Sequence, residues 1–221
     1  MNKLLLIILF FAVCTESLAQ KQKPRPRDWF VMDVYGSSWE NTPSNVEHIH
    51  WKSIGFGLNF MKDIPLGYSA HSFSIGMSYT VDKVHSNLSF YNQTRGVTAS
   101  VPYHLIPSQN NKTYNKNKLV THYVELPIEM RFRTKVRSKF FTYVGFKGGY
   151  NLFNFVRSEE NNVKVKTYNL NRIEDFRYGP TFRIGFGAIG LYGFYNMNGL
   201  FSGQSENFIP FSVGISYLSG R

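Results

Sequence analysis

The chain has 221 residues, of which 43% are hydrophobic and 17% aromatic, and its formal net charge at pH 7 is +11. A length of this order suits one domain. The single cysteine excludes a disulfide scaffold, and no stretch of the chain reaches the roughly 20 consecutive apolar residues of a membrane-spanning helix.

The first residues are typical of an export signal. Lys3 precedes an unbroken apolar run over residues 4–13, and residues 17–19 place small side chains two positions apart. The run is too short to cross a bilayer, so we predict a secretory signal peptide over residues 1–19.

An exported chain rarely meets nucleic acid, so the basic charge favours anionic lipid or other polyanions as neighbours, and no nucleic-acid partner is expected. Residues 20–27 are basic and rich in proline, and we predict a flexible lead there. The remaining residues, 28–221, are expected to form one β-barrel domain.

The mature chain is dominated by segments in which apolar residues alternate with small or polar ones, the period of a β-strand. In the second segment, for example, apolar residues at even positions alternate with Gly55, Gly57 and Asn59. Eight strands are predicted, an even number that suits a bacterial outer-membrane barrel. They span residues 28–35, 53–61, 73–81, 123–133, 140–155, 178–186, 191–201 and 208–218.

The connections also alternate, being long after the first, third and fifth strands and short after the second, fourth and sixth. Outer-membrane barrels have short periplasmic turns and long extracellular loops, so both termini are expected in the periplasm. Aromatic residues near strand ends are expected to form interfacial girdles. They are Trp29, Trp51, Tyr35, Tyr79, Tyr123, Tyr178 and Tyr217.

The fold class predicted is therefore all-β, an eight-stranded antiparallel up-and-down transmembrane barrel with its apolar face toward lipid. The alternative is a soluble lipocalin-like barrel whose apolar residues point into a ligand cavity. Glycines opposite the aromatic face, such as Gly76 and Gly214, argue against it, because a strand surface that faces water rarely favours glycine. Pro127 removes one ladder hydrogen bond and predicts a bulge or a local bend.

Two motifs in the fourth and fifth strands resemble a known family. Residues 123–133 read YVELPIEMRFR and residues 143–152 read YVGFKGGYNL. They are similar to the corresponding strands of the PorT-like outer-membrane β-barrel proteins, a porin-like eight-stranded family, and residues 213–217 are similar to the family's final strand. The resemblance implies a barrel, and for some members, PorT among them, an accessory role in type IX secretion and gliding machinery.

Charged residues on the second face of the strands are expected to share the barrel lumen. An eight-stranded barrel is only wide enough for its own side chains, so mixed charges there should pair into a polar plug. A general-diffusion porin is therefore not expected. The predicted luminal ion-pair residues are Asp33, Asp82, Glu125, Glu129, Arg131, Arg133, Lys147 and Arg183.

No catalytic, cofactor-binding or metal-binding residue is predicted. Glu125 and Glu129 lie four residues apart, about 13 Å along a strand, which exceeds the carboxylate spacing of a glycosidase. His48 and His50 lie on one side of an extended segment, yet no carboxylate or cysteine completes a metal-binding spacing. A membrane acyl hydrolase could still pair a loop histidine with a serine without any local motif.

The sequence thus predicts a protein of the Gram-negative cell outer membrane that is not an enzyme. Its expected role is structural, binding or secretion-accessory, with outer-membrane lipid, lipopolysaccharide and secretion-machinery proteins as partners. The alternatives are a small outer-membrane enzyme acting on lipid or peptide at the outer rim, and the lipocalin-like binding barrel.

Overall fold

The computed structural model describes residues 28–42, 50–67, 69–86, 116–134, 139–160, 163–170, 173–201 and 208–219. The predicted signal peptide and basic lead lie outside these residues, as does most of the predicted loop that follows the third strand. No helix among the described residues is long and apolar enough to cross a membrane.

Nine strands form a single antiparallel sheet in the described part of the chain. They are β1 (Phe30–Glu40), β2 (Ile54–Pro65), β3 (Ser72–His85), β4 (Lys116–Arg133), β5 (Phe140–Glu160), β6 (Val163–Tyr168), β7 (Phe176–Phe186), β8 (Ile189–Tyr195) and β9 (Ile209–Ser219). A short 3-10 turn, His50–Lys52, precedes β2.

Eight of these strands close into a barrel. The sheet order is β4-β3-β2-β1-β9-β8-β7-β5-β6, and β4 also pairs with β5, which joins the two sides of the sheet. β6 lies outside the closed ring, because it pairs only with the far half of β5. The predicted eight-stranded up-and-down barrel is confirmed, and β6 is an addition to it.

The two ends of the barrel differ. The β2–β3, β4–β5 and β7–β8 connections meet at one end, the short-turn end, where β1 begins and β9 finishes. The other connections meet at the opposite end, the long-loop end. The turn between β7 and β8 is tighter than predicted and consists of Gly187, with a φ of 61°, and Ala188.

The outer wall is apolar and the interior is polar. Midway along neighbouring strands, Ile128, Val144 and Phe182 are exposed by 39%, 48% and 45%. Every second residue points inward, and the buried positions include serine, asparagine and charged side chains. This arrangement is the reverse of a lipocalin-like barrel and suits a wall that faces hydrocarbon.

The predicted girdle is correct only in part. Trp29, Trp51 and Tyr178 are exposed at 58%, 75% and 45%, as an interfacial residue should be. Tyr35 and Tyr123, by contrast, are each only 3% exposed, because the alternation of their strands turns them into the lumen. Assigning them to the girdle was wrong.

Several strands extend beyond their predicted ends. β3 continues to His85 and β4 already begins at Lys116, so both borders of the predicted long loop are strand. β6 lies inside the second predicted loop, where it pairs with the end of β5. β6 alternates valine with lysine over only four residues, and the added ends of β3 and β4 contain lysine and histidine among few apolar residues. The apolar alternation by which the other strands were recognised is therefore too short or too irregular in these segments.

The seventh predicted strand, residues 191–201, was misplaced. β8 begins at Ile189 and ends at Tyr195, and the next residues are not strand. There Asn196 Oδ1 accepts a hydrogen bond of 3.1 Å from the backbone N–H of Tyr178, in place of a backbone carbonyl. The backbone N–H of Met197 still donates to the Tyr178 carbonyl at 2.9 Å. The following connection, residues 196–208, lies at the long-loop end.

The bulge lies in β5 rather than at Pro127. Tyr123 pairs with Asn151, but His122 pairs with Phe153, so Leu152 is an extra residue on β5. Pro127 keeps its register with Lys147. The ladder is interrupted on the other side of β4, toward β3. There residues 126–127 make no ladder pairs, although the register continues beyond them.

Candidate functional site in the barrel lumen

The lumen near the short-turn end holds a chain of ion pairs, which we call the lower network. Arg131 Nη1 lies 2.5 Å from Asp63 Oδ1, and its Nε lies 2.9 Å from Glu129 Oε2. Arg133 Nη2 bridges Asp63 Oδ2 at 2.6 Å and Asp28 Oδ2 at 3.0 Å. Two adjacent inward positions on β4 therefore supply arginines to carboxylates from the start of β1 and the end of β2.

Arg183 on β7 extends the lower network toward the middle of the barrel. Its guanidinium contacts Glu129 and lies 2.6 Å from Asp33 Oδ2. The same Asp33 oxygen accepts a hydrogen bond of 2.8 Å from Asn59 Nδ2, and Ser216 donates to the other oxygen. Asp33 is 2% exposed and Arg183 is 3% exposed, so the pair is shielded from water.

A second group of ion pairs, the upper network, lies nearer the long-loop end. Glu125 accepts hydrogen bonds from Lys147 Nζ at 2.9 Å and from Arg177 Nε at 2.6 Å. Arg177 also pairs with Asp82, whose Oδ1 accepts a hydrogen bond of 2.7 Å from the Tyr35 hydroxyl. Both oxygens of Glu125 and both of Asp82 are thus engaged.

Each arginine or lysine of the two networks also lies over an aromatic ring that points into the lumen. Stacking on a ring lets the weakly hydrated face of a guanidinium be buried while its edge donates to carboxylates. The distances to the ring centroids are 3.7 Å for Arg177 over Tyr123, 4.0 Å for Lys147 over Phe194, 4.8 Å for Arg183 over Tyr192, and 4.8 and 5.1 Å for Arg131 and Arg133 over Tyr143.

All eight residues predicted in the lumen lie in these two networks, and three further members were missed. Arg177 was left in a loop because the sixth strand was begun one residue too late, although it is an even number of positions from Arg183. Asp63 was assigned to a turn, although it continues the inward series of Asn59 in β2. Asp28 lies two residues before β1, and its sequence context gave no sign, other than its charge, that it would lie in the lumen.

Charge in the lumen is nearly balanced. The lower network contains four carboxylates, Asp28, Asp33, Asp63 and Glu129, and three arginines. The upper network contains two carboxylates and two cations. The Tyr143 hydroxyl donates a hydrogen bond to Asp28 in the lower network. Opposite charges at contact distance lower the large cost of burying each ion, although they need not make the pair stabilising overall.

Apolar clusters lie beyond the networks at both ends of the lumen. At the short-turn end, Val31, Phe141, Tyr143 and Leu218 pack together. The larger cluster at the long-loop end contains Trp39, Val84, Leu119, Val156, Leu170, Ile173, Leu200, Phe201 and Phe208. A cavity of about 20 Å³ remains between this cluster and the upper network, beside Ser37 and Asp82, which is room for about one water molecule. The described side chains therefore fill the barrel.

The histidines that the structure describes are dispersed. His122 faces outward on β4, where its Nδ1 lies 2.7 Å from the Tyr79 hydroxyl and its ring stacks on Phe153 at 4.0 Å. His85 lies at the end of β3 and His48 and His104 lie outside the described residues. Within the described ranges, no three His, Cys, Asp or Glu side chains are grouped so that they could hold a metal ion.

The chain was compared with known protein families and with curated proteins. The family that matches is described as an outer membrane protein beta-barrel domain, and the match spans residues 32–208, from within β1 to the residue before β9. No curated protein matches the chain. The match covers most of the chain and agrees with the closed barrel and its apolar wall, so the protein belongs to the outer membrane protein beta-barrel domain family.

Proposed function

We propose that this outer-membrane barrel is not an enzyme or an open channel, and that it acts as a binding, structural or secretion-accessory protein through its two ends. The observation that carries this proposal is the filled lumen. The ion pairs occupy its centre, and apolar side chains lie above and below them.

The bonding of the carboxylates supports the absence of catalysis in the lumen. Glu125 and Glu129, the residues that an acid-base mechanism would use, each accept hydrogen bonds from two cations. A general base must instead be free to reach a substrate proton at hydrogen-bond distance. These carboxylates thus hold the strands together across the barrel.

The motif that resembles the PorT-like family also consists of residues that pair inside the barrel. The motif residues Glu125 and Lys147 pair directly in the upper network, and Glu129 and Arg131 pair in the lower one. The motif therefore describes how the barrel fills its interior, which is why it indicates a family more clearly than an activity. A role as an accessory component of type IX secretion is the more specific form of our proposal.

We further propose that residues 1–19 direct export. The apolar wall would then contact outer-membrane lipid, and basic residues near the long-loop end, such as Lys118 of β4 and Lys166 of β6, would contact lipopolysaccharide at the cell surface.

Conductance separates a closed barrel from a channel. Protein purified in detergent and inserted into a planar lipid bilayer should give no stable current steps in 1 M KCl, while a known porin in the same chamber gives them. A reproducible step conductance that scales with the amount of folded protein would show that the lumen opens, and the proposal of a closed barrel would be wrong.

A deletion strain tests the secretion role. Loss of the protein should reduce the amount of type IX cargo in the culture medium, and a copy with a small affinity tag should recover secretion components from mild detergent extracts. Normal secretion in the deletion strain would remove the PorT-like role. Turnover of a phospholipid or peptide substrate by the purified folded protein would favour the enzymatic alternative instead.

A further inference from the structure

Basic residues lie side by side on neighbouring strands at the long-loop end of the barrel. Lys118 of β4 is in register with Arg157 of β5, and Arg157 is in register with Lys166 of β6. On β3 the partner of Lys118 is His85. Residues in register point to the same face of a sheet, and here that face is the outer one, since Arg157 and Lys166 are exposed. We call Lys118, Arg157 and Lys166 the cationic row.

The sequence around the cationic row adds to its positive charge. Residues 83–124, which contain most of the third predicted loop, include five lysines or arginines and no aspartate or glutamate. Two residues farther along β5, Glu159 is in register with Lys116 on one side and with Lys164 on the other, so that position contributes two lysines and one glutamate. Like charges directly opposite each other destabilise a sheet. A row of this kind is favourable where it meets an anionic partner.

Aromatic rings lie next to the cationic row on the same outer face. Phe155 of β5 is in register with Tyr168 of β6, and Tyr168 is 55% exposed. Lys166 Nζ lies 4.1 Å from the ring centroid of Phe155 and 4.5 Å from that of Tyr168. The two rings attract the ammonium group and thereby restrict where it lies. The outer face thus presents cations and apolar rings side by side.

The height of the cationic row distinguishes between two kinds of anionic lipid. On β4 the apolar wall ends at Val124, because the next outward residue is His122. From Val124 to Lys118 the chain covers six steps, about 20 Å of strand, which becomes about 15 Å along the barrel axis at a tilt of about 40°. Phospholipid head groups occupy only about 5–8 Å on each side of the hydrocarbon. Their phosphates therefore lie below the row, whereas the phosphorylated sugars of lipopolysaccharide extend to its level.

We propose that the cationic row binds the phosphorylated sugars of lipopolysaccharide, with Arg157 and Lys166 on phosphate groups and Tyr168 against a sugar ring. A guanidinium donates two parallel hydrogen bonds to one phosphate, whereas an ammonium acts as a point charge. The site also gives a role to β6, which lies outside the closed ring of eight strands and supplies Lys166 and Tyr168. This inference deepens the lipopolysaccharide contact proposed above and rests on it.

The first test uses full-length mature protein refolded in lauryldimethylamine oxide, a detergent without sugar or phosphate. The probe is deacylated rough lipopolysaccharide, a water-soluble oligosaccharide that keeps its phosphate groups and has no acyl chains with which to enter the micelle. We expect isothermal titration calorimetry at low salt to give a Kd below about 100 μM. The same oligosaccharide, dephosphorylated with hydrofluoric acid, should bind at least about tenfold more weakly, because charge-assisted hydrogen bonds to phosphate are lost.

The decisive variant combines Arg157→Gln with Lys166→Gln. Both side chains are exposed, so the barrel should keep its thermal stability, while binding of the phosphorylated oligosaccharide should weaken at least about tenfold. Tyr168→Leu keeps the charge and should weaken binding by about threefold through loss of the ring. Lys62→Gln is the matched control, because Lys62 is an exposed lysine on the outer face of β2 near the short-turn end, and binding should be unchanged.

The second test measures the height of the row in a membrane. Protein is refolded into phosphatidylcholine vesicles that contain either rough lipopolysaccharide or phosphatidylglycerol at the same negative charge, and unfolding in urea is followed. A ligand of the folded state stabilises it. Lipopolysaccharide should therefore raise the midpoint more in the wild type than in the double variant, and phosphatidylglycerol should act equally on both. If phosphatidylglycerol also favours the wild type, phospholipid phosphates reach the row and the assignment to sugars is wrong.

The proposal also fails if removal of the phosphates has no effect, or if the double variant binds as tightly as the wild type. An equal loss in Lys62→Gln would mean that the net charge of +11, rather than the row, attracts the oligosaccharide. Absence of binding by the wild type would overturn the lipopolysaccharide contact together with the site, whereas binding that the double variant retains would overturn the site alone. Conductance and secretion are measured separately, so either failure leaves the closed barrel and its accessory role to be judged by those results.

Discussion

Arg183 neutralises two buried carboxylates at once, those of Asp33 and Glu129. Asp33 and Arg183 are 150 positions apart in sequence, so their contact forms only when the barrel has closed. Removing the arginine would leave both carboxylates in a site that excludes water, and such a loss is far more costly than the pair is beneficial.

We therefore expect Arg183→Leu to lower the free energy of unfolding by about 3–5 kcal/mol. The measurement is equilibrium unfolding in urea of protein refolded into lipid vesicles, followed by the fluorescence of the three tryptophans. Arg157→Ala, an exposed arginine on β5, is the matched control and should change the value by less than about 0.5 kcal/mol. Adding Asp33→Asn to Arg183→Leu should recover part of the loss, and equal losses in the single and double variants would contradict this explanation.

Two glycines on neighbouring strands show how much the inside and the outside of the wall differ. A Cβ at Gly179, on the inward face of β7, would lie 1.9 Å from the carbonyl oxygen of Tyr195, whereas one at Gly193 of β8 would meet nothing within 4 Å. The carbonyl belongs to the backbone at the end of β8, so it can move aside only if the strand moves.

Gly179→Ala should therefore destabilise the barrel by about 1–3 kcal/mol. Gly193→Ala should be neutral or stabilise it by about 0.4–1 kcal/mol, because alanine restricts the unfolded chain. Both are compared by urea unfolding in the same vesicles. A similar loss in both variants would show that the strands need glycine for some reason other than close approach.

At the scale of a strand, the bulge of β5 lets one extra residue be tolerated. Leu152 has no partner on β4, and β5 pairs with neither β6 nor β7 at this position. Phe146, in contrast, is in register with Ile128 on one side and Pro180 on the other. A shift of one residue turns every following side chain to the opposite face.

Deletion of Leu152 should accordingly retain the barrel, because Asn151 and Phe153 would then continue the register with β4. Deletion of Phe146 should abolish folding, since it would turn Lys147 toward lipid. The measurement is the migration of unboiled and boiled samples of the membrane fraction on a denaturing gel. Loss of the heat-dependent shift in both deletions would mean that the bulge is a required part of β5.

The bulge also separates what could be predicted from the sequence from what could not. Alternation assigned the faces of Glu125, Glu129 and Lys147 because a period of two needs no knowledge of the partner strands. It could not find Leu152, since an extra residue is visible only against the register of β4. It also could not join Asp33 to Arg183, because which inward residues meet depends on how the closed barrel staggers its strands.

For the whole molecule, the height of the apolar wall matches the apolar band of an outer-membrane barrel. From Phe140 to Tyr150 the outward face of β5 covers ten steps, about 33 Å of strand. With the tilt of about 40° that is usual for such barrels, this becomes about 25 Å along the barrel axis, which agrees with the apolar band of outer-membrane proteins. Ile128 lies near the middle of this band, and Trp51 lies beyond β2 at the long-loop end.

A charge placed on the outer wall should thus cost stability according to its depth. Ile128→Arg should destabilise the folded protein in vesicles by about 2–4 kcal/mol, the cost of arginine near the bilayer midplane, whereas Trp51→Arg should cost no more than about 1 kcal/mol. The difference is measured by urea unfolding and should shrink in detergent micelles, where water reaches the wall more easily. If both variants lose the same stability in vesicles, the apolar wall does not lie in the bilayer as its height indicates, and the depth assigned to Ile128 is wrong.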